Sequence, residues 1–307
     1  MTPSVTIRAG MKDSTGITGS SGGSGHATIR RSAGRDRRLI TGGAVAVWLA
    51  TWAAVSAAER IDHPAVSGCD VTRDGGTLRV VLRDVSTAEP VAGGAVDIPR
   101  LCAPVRAVRW VAKTTEQPTV HPEPRHWVVR WRARPADCRE IVIEFDEPPL
   151  LPAELGPIVA GTDGSLLLPA CRAATAGTAL RYEPQPHKNT VGYWTAAGDV
   201  ASWEIECTRP GSYSVAILQG CGAGHGGSTA TLRLARDNEE VAAVPFTTVD
   251  TGHFQNFRWL DIGTLTVPAA GRHVLSVAPE RIAKAALCDI RAVSLVPQAA
   301  AIPSASR

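Results

Sequence analysis

Three sets of residues have types that could do chemistry. One is a histidine and aspartate set. His187 lies in the Pro-flanked stretch Glu183-Pro184-Gln185-Pro186-His187, and Asp250 and His253 sit together in Asp250-Thr251-Gly252-His253. Imidazole with carboxylate suits metal binding or proton transfer. Sequence spacing does not bring His187 to the other two, and loop histidines are common, so the set is read as ordinary loop residues. The second set is the loop Gln219-Gly220-Cys221-Gly222-Ala223-Gly224-His225-Gly226-Gly227-Ser228. Glycine at this density permits positive φ and close backbone approach. Such a loop could cradle an anion or a sugar, or simply turn between strands, which is the reading preferred. No Lys-Ser/Thr follows the glycines, so it is not a phosphate loop. His225-Gly226-Gly227 looks like an esterase oxyanion loop, yet residues 59–307 hold no G-x-S-x-G nucleophile elbow. The third set is the seven cysteines, Cys69, Cys102, Cys138, Cys171, Cys207, Cys221 and Cys288. An odd number leaves at least one unpaired within the chain. Without a C-x-x-C the spacing does not suggest zinc. Disulfides in an oxidising compartment and buried thiols both remain open.

The elements that must position these residues read as strands. The chain has 307 residues, with 29 Gly and 22 Pro, and no segment has a convincing 3.6-residue apolar period. In a first block, Thr77–Leu82, Trp127–Trp131 and Ile141–Phe145 are β-branched or aromatic runs. The last of these alternates and stops at Glu147-Pro148-Pro149. A second block has strands at Ala201–Glu206, Ser212–Leu218, Ala230–Leu234, Ile262–Val267, His273–Val277 and Ile290–Leu295. Arg209-Pro210-Gly211, Asp237-Asn238 and Ala270-Gly271 are turns between them. Short strands at steady spacing indicate a sandwich or jelly roll. The expected architecture is all-β: a leader over 1–58, a small β-sandwich over 59–152, a linker over 153–166, a jelly roll over 167–298 and a tail over 299–307.

The leader is set apart by composition. A low-complexity arm is followed by Arg30, Arg31, Arg35, Arg37 and Arg38, then by an apolar run from Leu39 to Ala58 ending in small residues. A basic region, an apolar region and a small-residue end make a secretory signal, or an anchor if the segment is not cleaved. The expectation is export to a periplasmic, cell-surface or secreted location, with membrane attachment through 39–58 if the segment stays. The leader holds 7 of the 32 basic and 2 of the 29 acidic residues, so the formal charge of +3 becomes −2 for the remainder. The basic surplus belongs to export and is no nucleic-acid footprint.

The second block holds an ordered set of motifs. Asn189-Thr190-Val191-Gly192-Tyr193-Trp194 precedes Gly198-Asp199-Val200-Ala201-Ser202-Trp203, and Pro210-Gly211-Ser212-Tyr213 comes before a core strand. Thr251-Gly252-His253-Phe254, Pro268-Ala269-Ala270-Gly271 and Cys288-Asp289-Ile290 follow. Over about 125 residues this order resembles carbohydrate-binding modules of family 6 and the related family 35. The resemblance implies a galactose-binding-like jelly roll that holds poly- or oligosaccharides without cleaving them. It also implies roles. Tyr193 and Phe254 match the loop aromatics that sandwich a sugar ring, and Gln255 and Asn256 stand ready to take its hydroxyls. A pyranose has an apolar C–H face that packs on an aromatic, and its hydroxyls need amide or carboxylate partners. Each aromatic equally suits core packing, and Trp203, inside a strand, reads as core. Glu183 and Asp289 match two positions of a structural calcium site. The second early carboxylate is absent, because Leu180-Arg181-Tyr182 precedes Glu183. The sugar-contacting Asn expected before the last strand falls near Ala286. The first block resembles, more faintly, the accessory β-sandwich of exported fucosidases, through Val108-Arg109-Trp110, Trp127-Val128-Val129 and Ile143–Pro149. The catalytic barrel of such enzymes, about 250 residues, has no counterpart in this sequence. The rival readings are a glycoside or sulfate-ester hydrolase and a structural cell-surface adaptor.

Overall fold

A computed structural model describes residues 58–83 and 91–298. The expected signal or anchor segment, apart from Ala58, and the expected tail over 299–307 lie outside the described residues.

Eight strands form the first sandwich: β1 (Glu59–Arg60), β2 (Cys69–Asp74), β3 (Thr77–Leu82), β4 (Val91–Pro99), β5 (Val105–Trp110), β6 (Thr119–Pro122), β7 (His126–Arg134) and β8 (Glu140–Phe145). One sheet has the order β1-β2-β3-β8-β5 and the other β4-β7-β6. Alternation explains the packing of β3, whose Leu78, Val80 and Leu82 point inward while Arg79 and Val81 face out. The β2–β3 hairpin closes on Asp74 opposite Thr77. Gly75 adopts φ +54° in its two-residue turn, which suits a residue without Cβ. Trp110, Trp127, Ile98, Ile141 and Ile143 fill the core.

Twelve strands follow: β9 (Ile158–Val159), β10 (Leu166–Pro169), β11 (Ala174–Ala176), β12 (Arg181–Glu183), β13 (Thr190–Gly192), β14 (Val200–Cys207), β15 (Gly211–Cys221), β16 (Thr229–Arg236), β17 (Glu239–Thr247), β18 (His253–Val267), β19 (Gly271–Arg281) and β20 (Asp289–Pro297). They make a two-sheet jelly roll. One sheet runs β12-β13-β20-β15-β18, with β10 also on β20; the other runs β11-β14-β19-β16-β17, with β9 also on β14. Trp203, Ile205, Val215, Ile217, Leu232, Leu275, Val277 and Val293 are buried between the sheets. Trp203 is core, as its place in a strand implied. Asp237 and Asn238, at φ 51° and 67°, make the tight turn between β16 and β17.

The connector expected over 153–166 contributes to the sheets. Ile158 and Val159 pair in parallel with Ile205 and Glu206 of β14. The two sandwiches also touch directly. Val105 N donates to Pro184 O at 2.9 Å, Gln185 Nε2 donates to Val120 O at 3.0 Å, and the Trp127 and Tyr182 rings pack at 6.3 Å. All seven cysteines are buried free thiols. Burial pushes the thiols of Cys69, Cys207 and Cys221 up to about 11 and that of Cys171 up to about 12, so none of these four is primed for nucleophilic work.

Candidate functional site

The candidate residues gather at one end of the jelly roll. Tyr193 directly follows β13, and Phe254, Gln255 and Asn256 are the second to fourth residues of β18. The last three were expected in a loop. They lie in an irregular stretch of β18: His253 pairs with Cys221 and Arg258 with Gln219, and residues 254–257 between them have no register partner on β15. Strands β20 and β15 separate β13 from β18, a lateral span of about 14 Å at ordinary strand spacing. The level along the strands is the same. Leu287 N donates to Trp194 O at 2.9 Å, the Cys221 thiol lies 3.9 Å from Leu287 O, and Cys221 faces His253.

Backbone geometry presents Tyr193. Its φ is +61°, in the left-handed region that non-glycine residues rarely adopt, and the residue is 48% exposed. The Arg181 guanidinium lies 4.2 Å from the ring centroid, a cation–π contact. Arg181 is itself pinned, with Nε on Ala179 O at 3.0 Å and Nη1 on Pro122 O at 3.0 Å and Glu123 at 3.1 Å. A residue of the first sandwich therefore steadies the ring through Arg181. Arg181 positions the ring, and Arg181→Ala should lower saccharide affinity severalfold and, by removing the bonds to Pro122 and Glu123, lower the thermal midpoint as well. Affinity electrophoresis beside a thermal melt checks this, and wild-type affinity would refute it. Nothing in the sequence marks Arg181 beyond its place two residues before Glu183.

Phe254 is half-buried. Its ring meets His225 edge-on at 5.3 Å and lies over Gly222, where an added Cβ would fall 2.6 Å from Cε2. The glycine-rich loop thus turns between β15 and β16, as expected, and one of its glycines makes room for this ring. Gly222→Ala should push the ring aside and weaken sugar binding about tenfold, a cost of about 1.4 kcal/mol. Calorimetric titration would measure it. The Asn256 side-chain amide donates to Thr251 O, so one of its donors is occupied by its own turn. Gln255 is half-buried, and its backbone N–H donates to His253 Nδ1 at 3.1 Å.

Asp250 is near His253 in the chain, but its carboxylate accepts backbone N–H bonds from Gly224 and Gly252. Those bonds hold its pKa below the usual carboxylate range. The backbone carbonyl of His187 accepts from Arg291 at 2.9 Å. Sequence reading passed over Phe257, Trp259 and Arg291. The Arg291 guanidinium stacks 3.8 Å from the Phe257 ring centroid, and Trp259 is 51% exposed two residues further along β18. The signal available was the spacing of two aromatics, which puts both on one face of a strand.

Glu183 and Asp289, the pair matched to a calcium site, do come together. Both are buried. A Cβ on Gly192 would lie 2.5 Å from Glu183 Oε2 and 2.8 Å from Asp289 Oδ1. The cation beside them is an ammonium, because Lys188 Nζ pairs with Glu183 Oε1. Burial, then the charge of Glu183, pushes the Asp289 carboxyl up to about 8, and Lys188 opposes that rise. Calcium takes six to eight oxygens. Among the described residues no group of three or more acidic, His or Cys side chains is placed to hold a metal. Two carboxylates already countered by a lysine do not fit calcium. Neither EDTA nor added calcium should move the thermal midpoint, and a calcium-dependent rise would overturn this assignment.

No family model and no curated protein matches the chain. Solved structures do resemble it. The C-terminal family 6 carbohydrate-binding module of a marine laminarinase from Zobellia galactanivorans is 17% identical, covering 43% of this chain and 98% of its own, with TM-score 0.36. A family 35 carbohydrate-binding module from Clostridium thermocellum is 16% identical, covering 44% and 98%, with TM-score 0.34. An isomaltodextranase from Arthrobacter globiformis T6, solved with panose, is 18% identical over 74% of this chain, with TM-score 0.34. The chain spans only 36% of that enzyme. These are likenesses of fold, to modules of families 6 and 35 and to larger enzymes.

Proposed function

We propose that the jelly roll is a non-catalytic carbohydrate-binding module. A saccharide packs between Tyr193 and Phe254, and Gln255 and Asn256 take its hydroxyls. The observation carrying this reading is Tyr193 itself, a large aromatic half exposed at the rim, held at φ +61° and backed by a pinned arginine. Holding a non-glycine residue in the left-handed region costs about 1–2 kcal/mol. Such strain is common where a side chain must be presented to a ligand. Phe254 at the same end supplies a second apolar surface, and amides in reach of the rings add direction.

The proposal includes export, on the strength of the basic cluster and apolar run over residues 30–58, with attachment to the membrane if that run is retained. The partner is a poly- or oligosaccharide rather than a nucleic acid, in line with the net charge of −2 beyond the leader. Catalysis is not part of the reading, because Asp250, the acid nearest the rings in sequence, is spent on backbone amides. Affinity electrophoresis of the full chain against neutral and sulfated polysaccharides tests the proposal. Retardation by at least one is expected; none, in a folded sample, removes it. Turnover of nitrophenyl sugars or sulfates that disappears in Asp250→Asn or His253→Ala would establish the hydrolase instead.

A further inference from the structure

A small crevice opens where the two sandwiches meet, about 270 Å3 in volume, lined by Arg100, Cys102, Leu155, Arg172, Ser202 and Glu204 among others. Arg100 follows β4 of the first sandwich, and Arg172 precedes β11 of the second. Arg100 is 7% exposed. Its Nη2 donates to Ala173 O at 2.6 Å and Cys171 O at 3.3 Å, and its guanidinium carbon lies 5.5 Å from the Tyr182 ring centroid. Its Nε is buried with no hydrogen-bond partner, and so is Nε of Arg172. Arg172 is fixed by Nη2 donating to Gly156 O at 2.5 Å. Among the described residues neither guanidinium has a carboxylate ion-pair partner.

A guanidinium cannot shed its charge in a protein, and a buried charge is ordinarily paired. The groups around Arg100 do not supply a counter-charge. Cys102, Cys171 and Tyr182 all have their pKa raised by burial and stay neutral. Glu204 is exposed on β14, where water and salt screen it. Two guanidinium side chains with orphaned Nε–H donors line the one crevice, and they are the half of a recognition pair that a carboxylate or phosphate completes, since the planar fork matches either oxyanion. The volume falls just under the usual range for small-molecule sites, about 300–1,000 Å3, which limits the ligand to a small anion or a single acidic sugar.

We propose that this crevice binds a small oxyanion, of the carboxylate or phosphate type, held jointly by Arg100 and Arg172. The site is separate from the aromatic rim and does not depend on it. It joins the sandwiches, because each donates one arginine, so occupancy should stabilise the whole body.

Thermal melts and calorimetric titration of the full chain test the proposal, with glucuronate, inorganic phosphate and chloride at matched ionic strength. A saturable rise in the thermal midpoint is expected with at least one oxyanion and not with chloride. Saturation at lower glucuronate than phosphate identifies a carboxylate ligand, and the reverse order a phosphoryl one. Arg172→Gln should remove the saturable rise and leave polysaccharide retardation unchanged. Ser202→Phe, which fills the crevice and keeps both arginines, should do the same and serves if the arginine variant folds poorly. No oxyanion effect beyond that of chloride, or a rise that survives both substitutions, overturns the proposal.

Discussion

Alanine at Phe254, or at Tyr193, is expected to weaken polysaccharide binding by about 30-fold, near 2 kcal/mol, and the double variant should show no retardation in affinity gels. Removing either ring would take away the flat apolar surface proposed to carry a sugar's C–H face. The remaining amides would have to hold hydroxyls that water satisfies equally well. The two sites differ in what else they disturb. Tyr193 is half exposed, and alanine keeps the Cβ that makes its left-handed φ costly, so its loss should leave the thermal midpoint nearly unchanged. Phe254 touches His225 and covers Gly222, so its loss should also loosen the glycine-rich loop. Tyr193→Trp and Phe254→Trp should keep most of the affinity, which separates stacking from a merely structural role. Wild-type retardation by both single variants would end the stacking reading.

The largest effect on stability is expected from Lys188→Met, a loss of about 3 kcal/mol in denaturant unfolding, at the lower end for breaking a buried ion pair. Glu183 is 3% exposed at its side chain and Lys188 26%, so the lysine is the partner that water can partly replace. Without the ammonium, two buried carboxylates face each other across Gly192 with nothing between them. The second substitution Glu183→Gln, added to Lys188→Met, should recover much of the loss by removing the stranded charge. Unfolding curves for wild type, both single variants and the double variant form a cycle that isolates the pair. Equal losses in the single and double variants would show that Lys188 matters through packing alone.

Much of the scaffold is legible in the sequence because period-two patterning is a local property. Leu78, Val80 and Leu82, or Trp203 and Ile205, declare which face is buried before any partner strand is known. Edge strand β17 is harder to see. Glu239 and Glu240 open it, Pro245 interrupts it, and Val244 and Phe246 are among its few buried side chains, which is how an exposed sheet edge is kept from pairing further. The start of β18 is invisible for another reason. His253 to Asn256 look like turn residues, and only His253 finds a partner on β15, Cys221, more than thirty positions earlier in the chain; residues 254–257 bulge before the ladder resumes at Arg258. The site shows the same division. Tyr193, Phe254, Glu183 and Asp289 could be located from ordered motifs. Lys188 could not, since it reaches Glu183 through the turn in which Lys188 N and Asn189 N both donate to Gln185 O. Arg181 likewise acquires its meaning only from Pro122 and Glu123 of the other sandwich.

The parallel pairing of β9 with β14 has a practical corollary for anyone trimming the gene. A fragment begun at Leu166 would keep every motif yet strip Ile158 and Val159 from the flank of Ile205 and Glu206. That would bare a short run of unsatisfied amides and carbonyls, inviting self-association between truncated copies. The shortest well-behaved excision therefore begins upstream of Pro157, inside what looks like a dispensable tether.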